Sequence, residues 1–267
     1  MYILFCCPLP FENEHIIMIQ TNAILSWKKL ELFDKIILTG NERGVEEFCR
    51  KHDFIQEPNI ETSKHNTPLI SSIFNQSMSY SQNENDIFIY INCDIILLSN
   101  FKQNLTHIIN NIENQTPCQD FLIIGQKINW WNIHSIDFNE PNYEDKLIES
   151  INGSSELHPT TGIDYWIFKK NTYVNKIPPF LIGRWYFDGC LVHIAKKNDN
   201  RVINATKILN VIHQDTRILS KSDYNNKSTS SLVKNKDILL EERHYNEHIA
   251  RQHNLTFHSI DTADIIL

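Results

Sequence analysis

The chain has 267 residues, 41% of them hydrophobic and 10% aromatic, with a formal net charge of −7. That length suits one large α/β domain or two small ones, and the composition supports a sizeable core and excludes a disordered chain. An acidic balance with no extended basic run excludes nucleic acid and anionic membranes as main partners, while leaving room for a local basic pocket that holds a phosphate.

Six cysteines (Cys6, Cys7, Cys49, Cys93, Cys118 and Cys190) show neither CxxC nor Cys/His zinc spacing. Most lie in apolar runs, where cysteine behaves as a small hydrophobe, and this suits a reducing compartment. The N-terminus lacks a basic stretch, and the apolar run at 2–7 is too short for a signal peptide or a membrane span. The expectation is a cytoplasmic protein with no membrane span.

In chain order, residues 2–7 form a first strand, stopped by Pro8-Leu9-Pro10. Residues 14–32 read as an amphipathic helix through Ile17, Ala23, Ile24, Trp27 and Leu30. Residues 35–38 are a second strand ending in the turn Thr39-Gly40-Asn41, 45–52 a second helix, and Phe54-Ile55 opens a third strand. A polar loop at 56–67 leads to Pro68, which is favoured in a first helical turn, and to a helix over 69–80. The run 87–91 is continuous, β-branched and bounded by polar residues, the pattern of a central strand covered on both faces. It ends in Asn92-Cys93-Asp94 before a second apolar run at 95–98. This β-α-β-α-β-α-β alternation predicts a parallel sheet with right-handed crossovers, whose ligands bind at the carboxyl ends of the strands. Four loops then converge on one crevice: 8–11, 40–42, the loop before Pro68, and 92–94.

Further on, 101–114 reads as a helix, 121–125 as a strand, and 129–152 as irregular with a helix near 143–151. A strand at 163–168 follows His158-Pro159-Thr-Thr-Gly162 and is turned by 169–171. A helix at 190–196 and strands at 202–204 and 208–212 follow, then a mobile loop at 220–231 and a closing helix at 238–253. No internal repeat or clear linker interrupts the chain, which favours one domain over 1–267.

Three carboxylates stand out. Asp94 separates two apolar runs, where an unpaired charge is costly unless paired or bound to metal; the alternative is a surface strand cap. Asp188 lies in Gly183-Arg-Trp-Tyr-Phe-Asp-Gly189, where aromatic walls raise a carboxyl pKa and can stack on a sugar; an N-cap of the following helix is the competing role. Asp164 opens the strand after a Thr-Gly turn, or merely edges it. His213 ends an apolar run, as Asp94 does. One carboxylate oxygen and one imidazole nitrogen suit Mn²⁺, with Asn92 assisting through its amide.

The ordered set Gly40-Asn-Glu42, Thr67-Pro-Leu69, Asn92-x-Asp94-Ile-Ile-Leu97, His158-Pro-x-x-Gly162-x-Asp164-Tyr, Gly183-Arg-Trp-Tyr-x-Asp188 and Ile212-His-Gln214 resembles a widespread, poorly characterised group of GT-A-type nucleotide-sugar glycosyltransferases over about residues 1–250. Asn92-Cys93-Asp94 looks like an Asn-x-Asp variant of their Asp-x-Asp motif, and Ile212-His213-Gln214 like their late metal-binding His. Arg184-Trp-Tyr-Phe-Asp188-Gly resembles the acidic segment that carries the base of inverting members.

The resemblance implies a Rossmann-like three-layer α/β/α fold with a mostly parallel central sheet. It divides the chain into a nucleotide-binding half (1–100), an acceptor and catalytic half (101–219), and a loop with closing helix (220–267). It implies metal-assisted transfer of a sugar from a UDP- or GDP-linked donor to a glycan, protein or small-molecule hydroxyl, with Asp188 as base. Mn²⁺ or Mg²⁺ would sit on Asp94, His213 and Asn92. The donor would meet Pro8, Pro10, Phe11, Asn41, Glu42, Asn66, Thr67, Pro68, Asn92, Cys93 and Asp94. Gly162, Asp164, Arg184 and Trp185 would meet the sugar or acceptor, with Trp166 as a further stacking surface. Arg184 or a lysine of 220–231 would add positive charge. Alternatives are an inactive nucleotide- or sugar-binding protein and a sugar-phosphate nucleotidylyltransferase; Pro8-Leu9-Pro10 argues against the latter, which needs a glycine-rich, basic phosphate loop.

Overall fold

The structure, a computed structural model, describes residues 1–115, 119–215 and 236–267. The expected loop at 220–231, with its lysines, and Cys118 lie outside the described residues. The first half alternates as the sequence pattern predicts: β1 (Tyr2–Cys6), α1 (Glu14–Lys29), β2 (Lys35–Thr39), α2 (Val45–His52), β3 (Ile55–Glu57), α3 (Ile70–Ser79) and β4 (Ile87–Ile91). Then come β5 (Ile95–Leu97), α4 (Asn100–Gln115), β6 (Phe121–Ile124), β7 (Ile128–Trp130), α5 (Tyr143–Gly153), β8 (Ser155–Leu157), β9 (Tyr165–Lys169) and α6 (Lys170–Tyr173). The chain continues through α7 (Phe187–Lys197), β10 (Arg201–Asn204), β11 (Val211–Gln214), α8 (Lys236–Gln252) and β12 (Ile265–Ile266).

An eight-stranded sheet has the order β12-β10-β6-β9-β4-β1-β2-β3. It is parallel except for β9, which runs antiparallel to both β4 and β6. Strand alternation divides the core. Leu4 and Cys6 of β1 face Ala23, Ile24 and Trp27 of α1 and Leu105 of α4. Ile3 and Phe5 face Ile73 and Phe74 of α3 and Leu191 of α7. Helices therefore cover both faces, the three-layer α/β/α arrangement of a GT-A fold. No helix of the described residues is long and apolar enough to cross a membrane.

Several elements differ from the sequence reading. The second apolar run, after Asp94, is a strand of its own. It leaves for a four-stranded sheet of order β5-β11-β7-β8, in which β5 pairs antiparallel with β11. Region 129–152 opens on a strand, because Ile128–Trp130 pairs with both β11 and β8; 131–142 is irregular and the helix follows as expected. Residues 169–171 do not simply turn the chain but enter α6. The strand expected at 208–212 is Val211–Gln214, so His213 sits within it. Pro68 precedes rather than begins α3, whose N-cap is Leu69.

The sheet order has a functional consequence. From β1 the chain moves to β2 on one side, and β4 lies on the other, so a topological switch point falls between β1 and β4. The loops after β1 and β4 open there. α1 holds this region: Asn13 caps it by accepting from His15 N and Ile16 N. Trp27 Nε1 donates to Ile95 O at 2.8 Å, and Ser26 Oγ accepts from Leu97 N at 3.0 Å. Trp27→Phe leaves the Ile95 carbonyl without its indole donor. We expect a loss of about 1–3 kcal/mol in urea unfolding; an unchanged midpoint would show that the bond carries no stability.

Candidate active site

The loops after β1 and β4, with segments 65–68 and 182–188, enclose a cavity of about 500 Å³. This volume suits a small-molecule ligand. Pro8 and Pro10 line it, and Leu9 between them is clamped by Gln20, which accepts from Leu9 N at 2.7 Å and donates to Leu9 O at 3.0 Å. Glu42, Asn66, Thr67 and Pro68 line it too. Phe11 and Asn41 do not. Phe11 stacks on Phe48 with ring centroids 4.6 Å apart, and Asn41 is exposed at the surface. Gly44, at φ +84°, lets Phe11 come close: a Cβ there would lie 2.8 Å from Phe11 Cβ. The first amides around the α3 start are already occupied. Leu69 N and Ile70 N donate to Glu61 O and Phe180 O, so these amides are not free for a ligand.

Asn92, Cys93 and Asp94 form the wall between the two sheets. Asn92 N donates to Asp164 O at 3.0 Å, and Asn92 Nδ2 to Asp164 Oδ1 at 3.0 Å. Asp94 is fixed through its backbone: its carbonyl accepts from Gln214 N at 3.1 Å and Gln214 Nε2 at 3.2 Å. Its Oδ2 lies 3.4 Å from His213 Nε2, whereas its Oδ1 is buried with no hydrogen-bond partner. Asp94 is therefore no surface cap. Burial pushes its pKa up, but the His213 ring, by charge and hydrogen bonding, and the Lys127 ammonium outweigh that and hold the carboxyl below its ordinary value.

His213 Nδ1 lies 3.1 Å from Asn129 Oδ1, and Asn129 Nδ2 lies 3.0 Å from His158 Nδ1. An amide oxygen accepts only, so His213 Nδ1 carries the proton. The Nε2 edge of the His213 ring then faces Asp94. A ring held this way by its far nitrogen is the usual setting of a metal-ligating histidine. An orphaned carboxylate oxygen beside such a nitrogen fits a divalent cation. Among the described residues no group of three or more His, Cys, Asp or Glu side chains could hold a metal, so Asp94 and His213 offer a partial set whose other positions are open to a ligand's oxygens.

Asp164 is buried and ion-paired with Lys127 Nζ, itself buried. Gly162 is outside the cavity lining. A Cβ there would come within 2.3 Å of the His158 ring, so the glycine makes room for His158. Trp166 is wholly buried and cannot stack on a ligand, contrary to expectation. Trp185 is 66% exposed at the mouth.

Asp188 lies in the first turn of α7, and the N-cap is Tyr186. Asp188 Oδ1 is buried without a hydrogen-bond partner. Burial, opposed by the Gly189 N–H and reinforced by the Asp164 charge, pushes its pKa up to about 6. Tyr186 has φ +88°, costly for an aromatic residue and found where surrounding structure enforces it. That structure is α8. Asn246 accepts from Leu181 N at 2.8 Å and donates to Leu181 O, Arg184 O and Trp185 O at 3.0–3.3 Å. Glu242 accepts from Arg184 Nε at 2.7 Å, Thr67 Oγ1 at 2.7 Å and Ser63 Oγ at 3.0 Å. Arg184 is thus buried and matched by Glu242, not an uncompensated charge.

Sequence reasoning missed Gln20, Lys127, Asn129 and Glu242. Only Lys127, a cation between two apolar strands, left a local signal.

Two outcomes follow from these burials. Glu242→Ala leaves the Arg184 charge buried alone, and we expect about 3–5 kcal/mol of destabilisation by urea unfolding. Asp188 binds its proton more tightly in the folded chain than in the unfolded one, where its pKa is about 3.9. Its contribution favours the fold at low pH and is lost as pH rises through about 6. Asp188→Asn is therefore expected to raise the melting temperature at pH 7.5, by roughly 6–12 °C for about 3 kcal/mol, with the gap closing near pH 4. A variant less stable than wild type at pH 7.5 would refute the burial account.

No family model matches the chain, and no curated protein matches it. Solved structures do. S. aureus TarS (1–349) in complex with UDP is 11% identical with a TM-score of 0.50, over 85% of this chain and 63% of that one. Glucosyl-3-phosphoglycerate synthase from Mycobacterium tuberculosis, in complex with Mn²⁺, UDP and phosphoglyceric acid, is 12% identical with a TM-score of 0.45, over 88% and 78% of the two chains. A 4-diphosphocytidyl-2C-methyl-D-erythritol synthase from Anaerococcus prevotii is 10% identical with a TM-score of 0.41, over 92% and 96%. The chain spans about three fifths of the TarS 1–349 chains it matches. At this identity the likeness to TarS speaks for the fold alone, a GT-A, Rossmann-like one.

Proposed function

We propose that this chain transfers a sugar from a nucleoside diphosphate sugar, UDP- or GDP-linked, to an acceptor hydroxyl on a glycan, protein or small molecule. The observation that carries the proposal is a pair of buried, unpartnered carboxylate oxygens, Asp94 Oδ1 and Asp188 Oδ1, on residues that line one cavity at the switch point of a GT-A fold.

Pro8, Pro10 and Glu42 frame the base, and Asn66, Thr67 and Pro68 meet the nucleoside. Asp94 and His213 would hold Mn²⁺ or Mg²⁺, with the Asn92 amide oxygen beside them. Such an ion, when bound, supplies Lewis-acid neutralisation of the departing diphosphate. Asp164 has one oxygen on Lys127 and one on Asn92, a rigid acceptor for donor-sugar hydroxyls. Asp188 takes the proton of the acceptor hydroxyl as that oxygen attacks the anomeric carbon opposite the leaving group, so the configuration inverts. General-base help of this kind is worth about 10²–10⁴-fold, and the raised pKa of Asp188 places the base closer to neutral pH. A nucleotidylyltransferase is disfavoured because Leu9 has the one backbone N–H within Pro8-Leu9-Pro10, and Gln20 occupies it.

Isothermal titration with UDP and GDP, with and without Mn²⁺, tests the donor site. We expect metal-dependent binding of one nucleotide by wild type and its loss in Asp94→Ala; metal-independent binding of both proteins alike would sink the metal assignment. For catalysis, kcat/KM is expected to fall about tenfold per pH unit below about pH 6, as Asp188 protonates. Asp188→Asn is expected to lose about 10²–10⁴-fold. Nucleotide binding with no turnover of any donor by wild type would favour a binding protein.

A further inference from the structure

A second cavity of about 470 Å³ adjoins the first and shares Gly183, Arg184, Phe187 and Asp188 with it. Beyond the shared wall it is lined by Trp185 and Arg243. The Trp185 ring is exposed yet braced, with centroids 5.0 Å from Tyr186 and 6.5 Å from Phe257. A large aromatic face fixed in this way meets a ligand with little loss of side-chain freedom.

The charges in the two cavities are unequal. Their linings carry the carboxylates Glu42, Asp94, Asp164 and Asp188. Of the basic side chains, His65 lies 3.2 Å from Glu241 and Arg184 pairs with Glu242. For Arg243 no carboxylate partner is found among the described residues. Its neighbour Glu242 turns inward to Arg184, leaving the Arg243 guanidinium exposed on the second cavity. A guanidinium without a carboxylate partner presents a planar fork of donors that matches phosphate or carboxylate oxygens.

We propose that the second cavity is the acceptor subsite and that the acceptor is a hydroxyl compound bearing an anionic group. Arg243 binds the anion, Trp185 covers the apolar face of the carbon skeleton, and the hydroxyl reaches Asp188. This rests on the transferase reading of Asp188. In the step it serves, the acceptor oxygen forms a bond to the anomeric carbon, the bond from that carbon to the diphosphate oxygen breaks with its electron pair leaving on the diphosphate, and the hydroxyl proton passes to Asp188.

The test titrates glucose 6-phosphate, glucuronate and glucose into the UDP- and Mn²⁺-equilibrated protein, with UDP affinity measured on the same samples. We expect both anionic probes to bind at least about tenfold more tightly than glucose, about 1.4 kcal/mol. Arg243→Gln should erase that preference while leaving UDP affinity and melting temperature unchanged, and Trp185→Ala should weaken all three probes. Equal binding of the three probes, no binding of either anion, or a preference that survives Arg243→Gln overturns the proposal. So does a loss of UDP affinity in Arg243→Gln, which would give the guanidinium to the donor diphosphate. Absence of both UDP and GDP binding by wild type sinks the donor reading instead, while the anionic probes still report on Arg243.

Discussion

Asn92, Cys93 and Asp94 are the three residues across which the chain leaves one sheet and joins another. β4 ends at Ile91 and β5 begins at Ile95, and the two strands belong to different sheets. The β4–β9 pairing brings Asp164 to Asn92, and the β5–β11 pairing brings His213 to Asp94. Two antiparallel registers therefore set the positions of Asp164 and His213 beside the motif. A carboxylate oxygen buried without a partner is unfavourable by several kcal/mol. The fold sustains it because the backbone on either side is over-determined by Trp27, Ser26, Gln214 and Asp164. Local rules are broken in this way at sites that act on ligands.

The opposite wall obeys a different logic. Segment 181–188 has little regular structure of its own and includes a strained tyrosine. Its shape is imposed by two buried polar side chains of α8, Asn246 and Glu242. Glu242 also reaches Thr67, so one carboxylate joins the wall expected to meet the nucleoside and the segment that leads to Asp188. Replacing it disturbs both walls together.

Much of this was legible in the sequence. The β-α alternation through residue 91 rests on local periodicity, and its elements keep their order with small shifts at the ends. The convergence of the loops after β1 and β4 follows from the topology of parallel sheets. The second half was harder to read. β7 and β8 are three-residue strands whose existence depends on pairing with β11 and with each other, and such short strands carry no period. Arg184 read as a free cation because its partner lies 58 residues away, and Trp166 as a stacking surface because exposure is not written in a run of aromatics. Phe11 and Asn41 fell in the right loops, but the Phe11 ring packs on Phe48 and Asn41 is exposed outside the cavity lining.

The sequence separations within the cavity walls bear on how the chain assembles. Thr67 and Glu242 are 175 residues apart, and Asn22 and Gln214 are 192 apart. Contacts of such long range form slowly, because loop closure must precede the reward of packing. During synthesis the first four strands emerge well before α8. A nascent chain can therefore hold its central strands while the Asp188 segment still lacks the helix that shapes it. The strands β1 to β4 are in place early, and the cavity wall that carries Asp188 takes its shape late.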